Sequence, residues 1–160
     1  MAGVSIRISS SGFEETINRM DGIFDFDPAG LMSAVGALGE SQTRRRITDE
    51  KTSPDGAAWP PNREGGSILH RTGRNLLDSV AHVSSSDEAE WGASWEHAHV
   101  HQEGAVIVPK SASNLVFNLG GQQIFAKKVT IPARPFVGLS AENQAEMREL
   151  VTDFIGLGLQ

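Results

Sequence analysis

The eighteen residues from Lys51 to Ile68 constrain this chain more than any other feature. They hold three prolines, Pro54, Pro60 and Pro61, and three glycines, Gly56, Gly65 and Gly66. Proline removes a backbone donor, fixes φ and pushes its predecessor out of the helical region. Trp59-Pro60-Pro61-Asn62 is therefore neither helix nor central strand. Pro54-Asp55-Gly56 is a turn by its own chemistry, and Glu64-Gly65-Gly66-Ser67 is flexible. A stretch this long without a regular element of its own reads as a functional or mobile loop.

Before that loop the apolar residues keep regular periods. Val4, Ile6 and Ile8 alternate with Ser5 and Arg7, as in a half-buried strand, and Ser9-Ser10-Ser11-Gly12 turns the chain. Phe13, Ile17, Met20 and Phe24 predict a short amphipathic helix. Asp27-Pro28 predicts the start of a longer one, with an Asp cap and Pro in the first turn. Its face carries Leu31, Val35 and Leu38, and the pattern runs on to Ile47. Gly36 and Gly39 weaken such a helix unless they let something pack closely against it. Arg44-Arg45-Arg46 ends it. Successive helical residues point about 100° apart, so the three fan round the axis and at least two are expected to be solvated or paired with a partner.

After the loop the signals are those of short strands. Arg74 to Ser79 reads as a turn or two of helix running into a strand at Val80 to Val83. Asp87-Glu88 turns the chain, and Trp91, Ala93 and Trp95 alternate in the next strand. Residues 97–103 fit helix or strand. Val106-Ile107-Val108 is a short apolar run stopped by Pro109. Residues 114–118 and 123–131 predict a long hairpin turned by Gly120-Gly121. Ser140 caps a closing helix with Met147, Leu150, Val151, Phe154 and Ile155 on one stripe, stopped by Gly156 and Gly158. The expected class is α+β: a small antiparallel sheet with a long hairpin, packed by about four helices. Residues 1–160 read as one domain, with 51–68 and 109–131 as an extended loop and hairpin arm.

Composition narrows the function. The chain has 160 residues, 14 basic against 20 acidic, and no cysteine. An acidic balance argues against coating nucleic acid, which needs excess positive charge. Without cysteine there are no disulfides, thiolate metal sites or cysteine nucleophiles. No signal-peptide core or membrane-spanning run is read, so the expectation is a soluble chain made in the cytoplasm. No phosphate loop, dinucleotide fingerprint or serine elbow occurs, and the adjacent pairs Asp49-Glu50 and Asp87-Glu88 do not converge as acid and base. The enzyme reading is weak, and neither catalytic residue nor cofactor is expected.

Two clusters invite closer reading. His97, His99 and His101 would share a strand face, or His97 and His101 a helix face, and with Glu96 and Glu103 could hold zinc. The spacing lacks the metalloprotease His-Glu-x-x-His arrangement, and a structural cluster without metal is favoured. The second is basic: residues 43–74 hold seven Lys and Arg, including Arg44, Arg45, Arg46, Lys51, Arg63, Arg71 and Arg74, against four acids. Arginine at that density suits a subunit interface, a solvated face or, less well, DNA contact.

Four segments, in this order and spacing, resemble the phage virion morphogenesis family. They are Thr43–Ile47 leading into Ser53-Pro54-Asp55-Gly56-Ala57-Ala58-Trp59, then Leu69–Val80 with its Thr72-Gly73-Arg74-Asn75-Leu76-Leu77-Asp78-Ser79, then His97–Gly104, and Ile131-Pro132-Ala133-Arg134-Pro135-Phe136-Val137-Gly138-Leu139-Ser140. The resemblance spans residues 28–155. The family usually carries Tyr at position 97 and an aromatic at 103, so the histidines look like a local substitution in a structural element. The resemblance implies a non-enzymatic virion protein of the neck or tail end. It would complete the tail or join it to the head as a ring matched to a six-fold or twelve-fold axis. Its partners would be other copies of itself and neighbouring neck, portal-adaptor or tail-tube proteins, with genomic DNA sliding through an acidic lumen and no membrane contact. It would assemble in the host cytoplasm and end in the virion. Arg44, Arg45, Arg46, Trp59, Arg134 and Phe136 are the expected interface residues, with Arg134 anchoring to a carboxylate inside the fold or across subunits. A transient assembly factor touching DNA or portal through Arg44–Arg46 is the competing expectation.

Overall fold

Strand β1 (Val4–Ser9) alternates half-buried and exposed residues in step with its sequence pattern. It pairs antiparallel with β3 (Glu88–Ala93), which also pairs antiparallel with β2 (Val80–Ser84), giving the order β1-β3-β2. Trp91 sits at the centre, opposite Ile6 on one side and His82 on the other. The computed structural model describes residues 3–9, 27–70 and 74–157. The helix expected over 13–24, the turn before it and Gly158 lie outside the described residues.

Helix α1 (Pro28–Arg45) starts as its sequence predicts, with Asp27 Oδ1 accepting from the Gly30 amide at 2.9 Å. It lies across one face of the sheet, and its glycines set how closely. A Cβ at Gly39 would stand 2.3 Å from the Trp91 indole, and one at Gly36 would stand 2.8 Å from the His82 ring. Close packing is thus what these glycines gain for the helix propensity they lose. Leu31, Met32, Val35, Ala89, Trp91 and Met147 form one core, joined by Leu150, Val151 and Phe154 of the closing helix α4 (Ala141–Leu157).

The arginine end of α1 departs from expectation. The helix loosens into a π turn over Arg46–Glu50, closed by a Lys51 N–H···O=C Arg46 bond, and Lys51 takes the left-handed conformation at φ 56°. Thr48 contributes locally, because its hydroxyl donates to the Arg44 carbonyl at 3.1 Å and competes with the regular ladder. A second core gathers round this turn: Ile47, Trp59, Leu76, Val80, Ala93, Ala98, Phe136 and Val137. Helix α2 (Arg74–Asp78) delivers Leu76 to it, and α3 (Ala98–Glu103) delivers Ala98, so the ambiguous 97–103 segment is helical.

The long hairpin is corrected too. Strands β5 (Leu115–Leu119) and β6 (Gln122–Ala126) pair from Leu119↔Gln122 to Leu115↔Ala126 and stop there. Residues 108–114, with Pro109 among them, form no strand, so beyond Ala126 the chain has no partner in β5. It breaks at Lys127-Lys128 and resumes as β7 (Val129–Ile131), which pairs with β4 (Ala105–Ile107) instead. The class is α+β, with four helices and small antiparallel sheets among the described residues.

Candidate functional site

The three consecutive arginines leave the end of α1 in three directions, and each finds its partners within the chain. Arg44 pairs with Glu40 one turn back at 2.9 Å and donates to the carbonyls of Leu77 in α2 and of Val80 at the start of β2. Arg45 pairs with Glu50 at 2.8 Å and with Glu146 on α4 at 3.0 Å. These two carboxylates hold its guanidinium above the usual value, although burial opposes them. Arg46 is 1% exposed. Its Nη1 donates to the carbonyls of Phe136 at 3.1 Å and Gly138 at 2.8 Å, and its Nη2 donates to Asn143 Oδ1. Burial pushes this guanidinium below its usual value, opposed by Glu50, whose carboxylate stands 3.7 Å from Nε.

Arg46 thereby fixes the strap Pro132–Leu139, and other residues complete the clamp. Gln102 on α3 accepts from the Phe136 and Val137 amides with Oε1, at 3.0 and 3.1 Å, and donates to the Val137 carbonyl at 2.9 Å. Trp59 donates its indole N–H to the Pro135 carbonyl at 3.2 Å. A Cβ at Gly138 would stand 2.2 Å from Pro54 Cγ, so the strap presses directly on the Pro-Asp-Gly turn. Arg134 donates to the carbonyls of Pro60 and Pro61 at 2.9 and 3.1 Å. Those are the carbonyls of a stretch that proline leaves unable to enter any ladder, so Arg134 anchors backbone where a carboxylate was expected. Burial pushes it below its usual value. Lys51, also lowered by burial against the opposing charge of Asp49, donates to the carbonyls of Ile47 and Ile68.

The described parts of the four segments, 43–59, 69–70 with 74–80, 97–104 and 131–140, spread over nearly a hundred residues, therefore meet at one junction. Of the six expected interface residues, Arg46, Trp59, Arg134 and Phe136 are buried within the subunit, and Arg44 and Arg45 are half-buried. What these six grip is this chain. The expectation that at least two of the arginines are solvated or paired with a partner is met by Arg44 and Arg45, whose half-exposed side chains pair with Glu40, Glu50 and Glu146. Arg46 instead is buried against the strap.

Sequence reasoning missed Gln102 and Asn143. For Asn143 a signal was present, since it stands three residues after the Ser140 cap. Its amide donates to Ser140 Oγ at 3.1 Å and its Oδ1 accepts from the Ser140 amide at 3.3 Å, a capping box built with Asn. Nothing local marks Gln102.

The histidines serve the same junction. His97 meets the Trp95 ring edge-on with centroids 5.2 Å apart, and His101 stacks on it at 5.7 Å. Burial, with the charges of Arg134 and His97 adding to it, holds His101 below its ordinary value. His99 is exposed. Among the described residues no three His, Asp or Glu side chains converge as metal ligands. Beside His101, Trp95 and Arg134 opens a cavity of about 330 Å³ whose other walls include Glu64, Asn75 and Leu119. No helix among the described residues is long and apolar enough to cross a membrane.

The chain matches the phage virion morphogenesis family over residues 12–155. It is 29% identical over 143 residues to the tail completion protein S of Escherichia phage P2, covering 87% of this chain and 94% of that protein. No solved structure matches it.

Proposed function

Because the chain belongs to the phage virion morphogenesis family, its role lies in building the phage particle, and we propose that it is a structural, non-enzymatic protein of the tail end. It completes the tail, or joins it to the head in the neck, as a closed ring of its own copies. The observation that carries this reading is the nearly full-length match to a tail completion protein. The geometry is compatible with it in kind. The polar groups at the junction are engaged in holding one subunit rigid, and a rigid subunit loses less entropy when it enters an ordered assembly. The acidic balance suits a lumen past which DNA slides without sticking.

The competing reading, a transient factor touching DNA or portal through Arg44–Arg46, would have to break the bonds those guanidiniums make inside the subunit. Quantitative peptide mass spectrometry on DNase-treated virions separates the two. A permanent part of a symmetric neck is expected at about six or twelve copies per portal ring. Its absence from virions overturns that role and favours the transient factor.

A further inference from the structure

Among the described residues six large apolar side chains are exposed, and five of them, Val106, Ile107, Val108, Val116 and Phe125, lie on the arm from β4 to β7. In the β5–β6 hairpin Val116 stands directly opposite Phe125, so both share one face, at 54% and 63% exposure. The other face, with Leu115, Phe117, Leu119 and Ile124, is half-buried. A hairpin with one solvated face ordinarily carries polar residues there, and a cross-strand apolar pair in that place marks a contact surface. The arm is also the positive part of an acidic chain. Residues 104–133 contain Lys110, Lys127 and Lys128 and no acid, while the remainder carries eleven basic and twenty acidic residues.

The sixth exposed apolar residue, Val83 at 67%, belongs to the face of the three-stranded sheet opposite α1. Register aligns Ser5, Gly92 and Ala81 in one row across all three strands, and no side chain in that row is larger than serine. The result is a trough of about 460 Å³, bordered by Val83 and Glu90. Beyond it Arg7 bridges Glu88 at 2.6 Å and Glu90 at 2.7 Å. One guanidinium between two carboxylates leaves this border negative.

We propose that the trough of one copy receives the hairpin of the next: Phe125 and Val116 seat against Gly92 and Val83, with Lys127 and Lys128 toward Glu88 and Glu90. This rests on the ring reading and names the two surfaces that would close the ring. A second copy is the occupant because the charge the arm lacks is present on the same chain, beside an apolar trough. The two surfaces differ, so the contact is head-to-tail and repeats until the rotation closes. A hairpin this short buries less than the roughly 800 Å² per partner of a stable pair, so single contacts are weak and closure supplies the affinity.

The chain has no cysteine, which makes the test direct. Virions carrying the double variant V83C/F125C are treated with a short bis-maleimide cross-linker, which adds one thiol at each end, and resolved on a denaturing gel. The expected result is a ladder of this chain rising in single-copy steps to the ring size, absent from V83C and F125C alone. A dimer from F125C alone, a band joining this chain to another virion protein, or an unlinked monomer overturns the proposal. Copy number read from the same particles keeps the two claims apart: a correct copy number with no ladder removes this contact and leaves the ring. If virions contain no copies, the ring reading falls. The contact is then decided by mixing purified V83C and F125C chains at high concentration, where a mixed dimer supports it and its absence ends it. Thermal melts of each variant check that both fold.

Discussion

The Arg46 junction and the β5–β6 hairpin treat their surfaces in opposite ways. At the junction a charged side chain is taken wholly out of water, and both its Nη atoms have partners from other segments, while its Nε faces only the Glu50 charge at 3.7 Å. At the hairpin an aromatic and a β-branched side chain are held in water with nothing of the described chain across them. The first arrangement makes one subunit unique and rigid, because a buried polar network tolerates no alternative geometry. The second leaves apolar area whose burial awaits something else. A reader of residue types alone assigns them the other way round, with arginines outward and Phe inward.

Removing the centre of the junction should have the largest effect. Arg46→Ala strips the Phe136 and Gly138 carbonyls and Asn143 of their donor inside the fold, and is expected to cost about 3–5 kcal/mol in urea unfolding. Arg46→Lys should restore less than half, since one ammonium cannot span the strap and Asn143 as a guanidinium fork does. Gln102→Ala should cost about 2–3 kcal/mol and should speed hydrogen exchange at the Phe136 and Val137 amides, which lose their acceptor. Equal exchange there would show that Gln102 does not hold the strap. Ser140→Ala removes one half of the α4 cap and is expected to cost about 1 kcal/mol by the same measurement.

A pH series sharpens the comparison further. His101 is held below its ordinary value by burial, and then by Arg134 and His97. The unfolded chain therefore takes up this proton first as pH falls. Stability should decline as pH drops below the ordinary histidine value of about 6.5, and the decline should end only below the folded value. His101→Gln should flatten that slope, and an unchanged slope would assign it to other groups. At the small end stands the hairpin: Phe125→Asp is expected to change the unfolding free energy by no more than about 0.5 kcal/mol, because the side chain is already solvated. A large loss would mean that Phe125 packs within its own subunit.

Much of the fold was legible because its signals are local. The alternation of Val4, Ile6 and Ile8, the Asp27-Pro28 start and the stripe from Met147 to Phe154 each state a periodicity or a cap within a few residues. The break at Lys127-Lys128 was not legible. Residues 123–131 read as one strand of poor pattern with no turn residue inside it, and the length of β5 and the competing partner β4 divide them. The site divided in the same way. The sequence singles out Arg44–Arg46, Trp59, Arg134 and Phe136 by residue type, but where they point depends on chain that comes back from far along the sequence: Arg46 meets partners more than ninety residues away.

The sequence by itself determined where the two long helices start, which of their faces are apolar, and that four scattered motifs belong together. Only the tertiary structure decided that those motifs meet at a buried junction, that the arginines point into it, and that the exposed apolar surface lies on the lysine-bearing arm. The physical reason is that periodicity and capping act over three or four residues. Whether a charge can leave water depends instead on which carbonyls and carboxylates the completed fold brings to it.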